Sequence, residues 1–155
     1  MTIVVVLAVL IGVVAGLRSL TAPAVVSWAA HLGWLHLTDT SLAFLAYTWT
    51  PWILTVLALV ELVADQVPTI PSRTEAVPFG ARIVTGALSG AAIGAAAGWL
   101  IVGGIAGVIG AVIGTYGGAL VRAKLAAAFH RDMPGAFLED ALAILPAIAI
   151  VMLAQ

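Results

Sequence analysis

Apolar residues run in long blocks along this chain, and polar residues gather in the gaps between them. Six blocks stand out, at residues 2–17, 20–35, 41–64, 81–101, 104–121 and about 135–153. A helix that crosses a hydrocarbon core needs about 20 apolar residues and accepts roughly 17 to 25. The pattern therefore predicts an all-α fold, a polytopic membrane helix bundle of about six transmembrane helices. The second block is short, contains His31 and is expected to bend near Pro23. A re-entrant second segment, giving five crossings, is the alternative.

Proline sets the register of the third block. Its fixed φ suits the first turn of a helix, so a helix starting at Pro51 is preferred. Residues 41–48 then form a separate short interfacial helix, and Glu61 lies well inside the membrane. A start near Leu42 would instead leave Glu61 at the cytoplasmic end. Residues 66–80 carry Pro68, Pro71 and Pro78 and are expected to form the main cytoplasmic loop.

Composition names the solvent. Hydrophobic residues make up 63% of the chain and charged residues 8%, against about 25% charged in a soluble domain. So few charges cannot cover a surface in water. The chain is expected to be one integral membrane domain over residues 1–155, with the lipid bilayer as partner. There is no cysteine, which excludes disulfides and thiolate metal sites. A net charge of −1 argues against nucleic acid. The first block has the length of a signal peptide, but no Lys or Arg precedes it, so it is expected to stay as a helix.

Charge placement then orients the bundle. With six crossings, Arg18, Arg73, Arg82, Arg122, Lys124 and Arg131 all fall on one side, and short cytoplasmic loops collect Lys and Arg. Both termini are then outside, in a multi-pass protein of the cell (inner) membrane. Trp34, Tyr47, Trp49, Trp52 and Trp99 fall near the outer ends, as an aromatic belt would. Six crossings also divide into two inverted sets of three, although the halves show no convincing sequence match.

Glycine supplies the strongest packing signal. Gly86, Gly90, Gly94 and Gly98 recur every four residues and form one stripe on the fourth block. Gly103 and Gly107, then Gly110, Gly114 and Gly118, form a second, slightly shifted stripe. Small residues let helix backbones approach closely in lipid. The stripes predict a Gly-rich hairpin turning at Gly103 and Gly104, with a dimer interface or a narrow path as alternatives.

Candidate chemistry is sparse. Glu61 and Asp65 are four apart and share a helix face. A charge at the membrane centre costs roughly 2.5 to 3.5 kcal/mol on insertion scales, so these acids need a partner or water. Arg18 and Arg122, at the same side, are the natural partners. The cluster reads either as a structural ion pair or as a substrate, proton or cation site. Glu139 and Asp140 open the sixth block, where acids suit the helix dipole. His31 and His36 read as interfacial histidines. No zinc-protease, nucleophile-elbow or phosphate-loop motif is present, so no catalytic residue, metal or cofactor is expected.

Two segments carry a family resemblance. Gly16-Leu17-Arg18-Ser19 followed by Ala22-Pro23, and Glu61-Leu62-Val63-Ala64-Asp65-Gln66-Val67-Pro68, resemble motifs of the domain-of-unknown-function 4126 family of small integral membrane proteins. Gln66 stands where that family usually has Lys. The Gly-rich hairpin at 86–118 is similar too. The resemblance implies the membrane fold and points to Arg18, Glu61 and Asp65. It implies no substrate.

Together these features predict a small transporter or channel for an unidentified small solute or ion, acting as a homo-oligomer. Arg18, Glu61, Asp65, Arg122, Glu139 and Asp140 are the expected substrate- or ion-binding residues. A non-transporting membrane scaffold or partner subunit is the alternative, and a lipid-modifying enzyme using Glu61 or Asp65 as a base is a third.

Overall fold

The computed structural model describes residues 1–64, 75–129 and 133–154, with side chains apart from those at 122, 125–129, 133–140 and 142. Among the described residues the fold is all-α, with six α-helices, one 3-10 helix and no strand. The order is α1 (Thr2–Leu17), α2 (Thr21–His31), the 3-10 helix η1 (Ala43–Ala46), α3 (Thr50–Ala64), α4 (Ala76–Ala96), α5 (Leu100–Phe129) and α6 (Met133–Leu153). Two helices are long and apolar enough to cross a membrane: α4, and α5 over Leu100–Val121. Helices α1 and α3 and the Ala143–Leu153 part of α6 are apolar but shorter.

Proline and glycine set most boundaries. Pro23, Pro51, Pro78 and Pro134 lie in the first turns of α2, α3, α4 and α6. The first-turn amides have no partner within the helix, so proline's missing N–H costs nothing there. Pro23 thus starts α2 instead of bending it. Pro51 starts α3 as expected, with η1 separate before it. Pro78 does not extend the loop expected over 66–80; α4 has already begun at Ala76.

The α4–α5 turn lies earlier than the glycine pair at 103 and 104 predicted. Gly98 adopts φ +77°, a left-handed conformation that glycine takes without steric cost. Gly98 N donates to Ala95 O (3.0 Å) and Trp99 N to Gly94 O (2.7 Å), which closes α4 in a Schellman motif. Gly98 therefore leaves the packing stripe and forms the turn. A Cβ on Gly98 would meet nothing within 4 Å. Gly103 takes the packing place instead: a Cβ there would lie 2.7 Å from Gly94 Cα.

Helices α1, α4 and α5 form the tightest part of the bundle. Gly86, Gly90 and Gly94 of α4 descend against Gly107 and Gly103 of α5 and Trp99 just before it, so the two helices run antiparallel. Gly12 of α1 meets Gly107 and Gly16 meets Ala111, so α1 runs parallel to α5. Gly110 and Gly114 face Val9 and Val13 of α1 rather than α4. Gly107 is where three backbones meet, against Gly12 on one side and Gly86 and Gly90 on the other. Gly118 is buried. With no side chain between them, the backbones approach closely and gain dispersion contacts.

Helix α2 has eleven residues, eight of them buried. It spans about 16 Å at 1.5 Å per residue, roughly half of a hydrocarbon core of about 30 Å. It packs against α3, η1, α4, α6 and α1. The longer helices carry apolar side chains on their outer faces. On α5, Ile101, Ile105, Ile109, Ile113 and Leu120 are all exposed, and on α3 so are Ile53, Val56, Leu57, Val60 and Val63.

Candidate functional site at the break between α1 and α2

The chain leaves α1 and enters α2 within three residues. Arg18 is extended, at φ −139° and ψ 111°, so helical hydrogen bonding stops there. A break of this kind exposes the last carbonyls of α1 and the first amides of α2. Buried polar groups without partners are costly, and side chains from distant segments fill both roles.

On the α1 side, Arg82 Nη1 donates to Gly16 O (2.7 Å) and Leu17 O (3.3 Å). Arg82 is 4% exposed. Thr115 Oγ1 shares its one proton between Ala111 O at 2.8 Å and Gly16 O at 3.3 Å. A cation at a helix C-terminus opposes the macrodipole favourably. Gly16 permits this convergence, since a Cβ there would lie 2.6 Å from Thr115 N.

On the α2 side, Glu61 supplies the cap from α3. Its Oε1 accepts from Ser19 N (2.8 Å) and Ser19 Oγ (2.6 Å), and its Oε2 accepts from Leu20 N (2.8 Å). Both carboxylate oxygens are used. The bonds are charge-assisted and the acid sits at a positive dipole end. The amides bound are those of the N-cap residue Leu20 and of Ser19 before it, so Glu61 takes the reaching-back part of a capping box, supplied from another helix.

The sequence-predicted residues fall out unevenly. Arg18 and Glu61 come to the same break. Arg18 is 1% exposed, and its side chain has interactions of its own. The partners expected for Glu61 were Arg18 or Arg122; the bonds seen on its carboxylate come from Ser19 and Leu20. Asp65 and the side chains of Arg122, Glu139 and Asp140 lie outside the described residues. Their helices still matter. Arg122 sits within α5, which continues to Phe129, so it does not end that helix. Glu139 and Asp140 lie well past the start of α6 at Met133, beyond the first turn where the dipole favours acids.

Sequence reasoning missed Ser19, Arg82 and Thr115 as members of this site. Ser19 had a signal, standing next to Arg18 in the motif shared with the resembling family. Arg82 and Thr115 had none, because their role depends on how α4 and α5 lie against α1. Among the described residues no group of three or more His, Cys, Asp or Glu side chains could hold a metal ion.

A second polar seam joins α2 to the segment after it. Ser27 Oγ donates to Leu45 O (2.6 Å), Trp28 Nε1 donates to Thr55 Oγ1 (2.9 Å), and His31 Nδ1 lies 3.1 Å from Ala46 O. Trp28 also meets Trp52 edge to face at 5.1 Å between centroids.

The family described as Domain of unknown function (DUF4126) matches residues 5–154, and the chain belongs to that family. No curated protein and no solved structure matches the chain.

Proposed function

We propose that this member of a family of unknown function is a small multi-pass protein of the cell membrane that moves a small solute or ion, with the α1–α2 break as its working part. The observation that carries the reading is the broken helix. A short buried half-helix, α2, presents its N-terminus to an ionisable residue of α3. Transporters commonly place broken helices at their sites, with half-helix ends facing charged groups. Glu61 is the proton- or cation-responsive group; Arg18 precedes the Ser19 and Leu20 amides it holds, and Arg82 holds the α1 carbonyls before them.

Two features support the membrane part. The exposed row from Ile101 to Leu120 on α5 is about 28 Å long at 1.5 Å per residue, close to a hydrocarbon core of about 30 Å. The ends of the bundle also differ. Arg82 and Glu61 bond to the chain on either side of Arg18, at the N-terminal end of α2, while toward its other end His31 lies against Ala46 and Trp28 meets Trp52. That separation suits a basic cytoplasmic face and an aromatic outer interface. A homo-oligomer would bury part of the apolar outer surface of α3.

One observation favours a second reading, a non-transporting scaffold. Both oxygens of Glu61 are already taken by donors of its own chain, as a purely structural cap would require. A flux assay in proteoliposomes with panels of ions and small solutes separates the readings. Transport above empty liposomes, altered in Glu61→Gln, is the expected result. No movement across a broad panel would favour the scaffold.

A further inference from the structure

The geometry points to a hinge at Arg18, about which the unit of α2, η1 and α3 turns against the α1–α4–α5 body. The inference extends the transport reading but does not need transport to occur, since it concerns only which parts of the chain move together.

Hydrogen bonds on either side of Arg18 go to different bodies. The preceding residues, Gly16 and Leu17, are held by Arg82 of α4, and Gly16 also by Thr115 of α5. The following residues, Ser19 and Leu20, are held by Glu61 of α3. Arg18 lies between these anchors in an extended conformation, outside both helices. Rotation about its φ and ψ breaks no helical hydrogen bond beyond the end of α1, and hinges in proteins are such element-terminal residues.

The bodies differ in how they are held. Among the described residues, nine glycines bring backbones so close that an added Cβ would strike a neighbour's backbone or Cβ, and all nine lie in α1, α4 or α5. Such faces have one fitted arrangement. The second body is joined internally by polar bonds: Ser27 to Leu45, Trp28 to Thr55, and the Glu61 cap. Between α2 and the neighbouring α4 and α6, the shared core is aliphatic, including Val26, Ala29, Ala92, Ile93 and Ala147. Contacts of that kind are not directional and permit small sliding, whereas the glycine faces and hydrogen bonds fix geometry.

The chain contains no cysteine, so introduced pairs can carry spin labels without background. Distances would be measured in lipid nanodiscs by double electron–electron resonance. Val84 on α4 with Val56 on α3 crosses the hinge; Val84 with Ile113 stays in the first body; Val56 with Leu32 stays in the second. All four positions are exposed. The cross-hinge pair should show a second population or a distribution broader than both internal pairs. Replacing Glu61 by Gln should broaden the Val56–Leu32 pair and leave Val84–Ile113 unchanged. Three equally narrow distributions would overturn the hinge by showing one rigid body. A Val56–Leu32 pair as broad as the cross-hinge pair in the native background would overturn it too, because the second unit would not move as one.

Discussion

Glu61 caps helix α2 through Ser19, a residue 42 positions earlier in the chain. One carboxylate oxygen takes both the Ser19 amide and its hydroxyl, and the other takes the amide of Leu20. The acid expected to pair with Arg18 or Arg122 holds the two amides that lead into α2. Pro51 lies in the first turn of α3 and Glu61 about three turns on, within the same helix. Arg82 does the complementary work on the carbonyls of α1. The two ends of one broken helix are matched by two oppositely charged side chains.

Glycine replacements should separate by position. A Cβ on Gly107 would lie 3.0 Å from Gly90 Cα and from the Gly86 carbonyl carbon, so backbones must move apart. Gly107→Ala should lower stability in detergent by about 2–3 kcal/mol, as overpacking does. Gly104→Ala meets only Ala91 Cβ at 3.6 Å and Ala87 O at 3.7 Å, ordinary contact distances, and should be neutral. Thermal unfolding of the two variants checks this. Equal stability would contradict the close approach at Gly107.

Loss of Arg82 should be costly without any change of packing volume at the glycine faces. Arg82→Met keeps much of the aliphatic stem but leaves the Gly16 and Leu17 carbonyls without that donor. Stranded buried acceptors cost about 1–3 kcal/mol each. Unfolding measurements should show a drop in that range, and Arg82→Lys, with a single ammonium donor group, should recover part of it. A fully stable Arg82→Met variant would show that water or another group serves those carbonyls.

Membrane orientation gives a third expectation. The basic end of the bundle should face the cytoplasm and both termini the outside. Reporter fusions at the two termini test this directly, and a cytoplasmic signal from either one would contradict the six-crossing arrangement.

Much of the helical layout was legible because apolar blocks and prolines are local signals. The first block coincides with α1, and Pro51 placed α3 within one residue. The glycine turn was misplaced because Gly98 continues the four-residue spacing of Gly86, Gly90 and Gly94, and spacing alone cannot distinguish a packing glycine from one at positive φ. The partner of the second stripe was also missed. Gly12 and Gly16 form a four-residue pair of their own in α1, and they are what Gly107, Gly110 and Gly114 pack near. At the site, Glu61 and Arg18 stood out because charge is rare in this chain. Their chemistry did not, because a cap from another helix depends on tertiary placement and leaves no short-range pattern.

The central claim, that Glu61 holds the N-terminus of α2 through Ser19, is tested most directly by a double-mutant cycle. Glu61→Ala, Ser19→Ala and the combined variant would be compared by reversible unfolding in the same detergent. Ser19→Ala keeps the backbone amide, so the cycle isolates the hydroxyl bond at 2.6 Å. Contacting residues show coupling of about 0.5–3 kcal/mol, and hydrogen bonds to charged groups lie near 1.5–3 kcal/mol. The account predicts a coupling of at least about 1 kcal/mol, with the double variant less destabilised than the sum of the single ones. Strict additivity would contradict it.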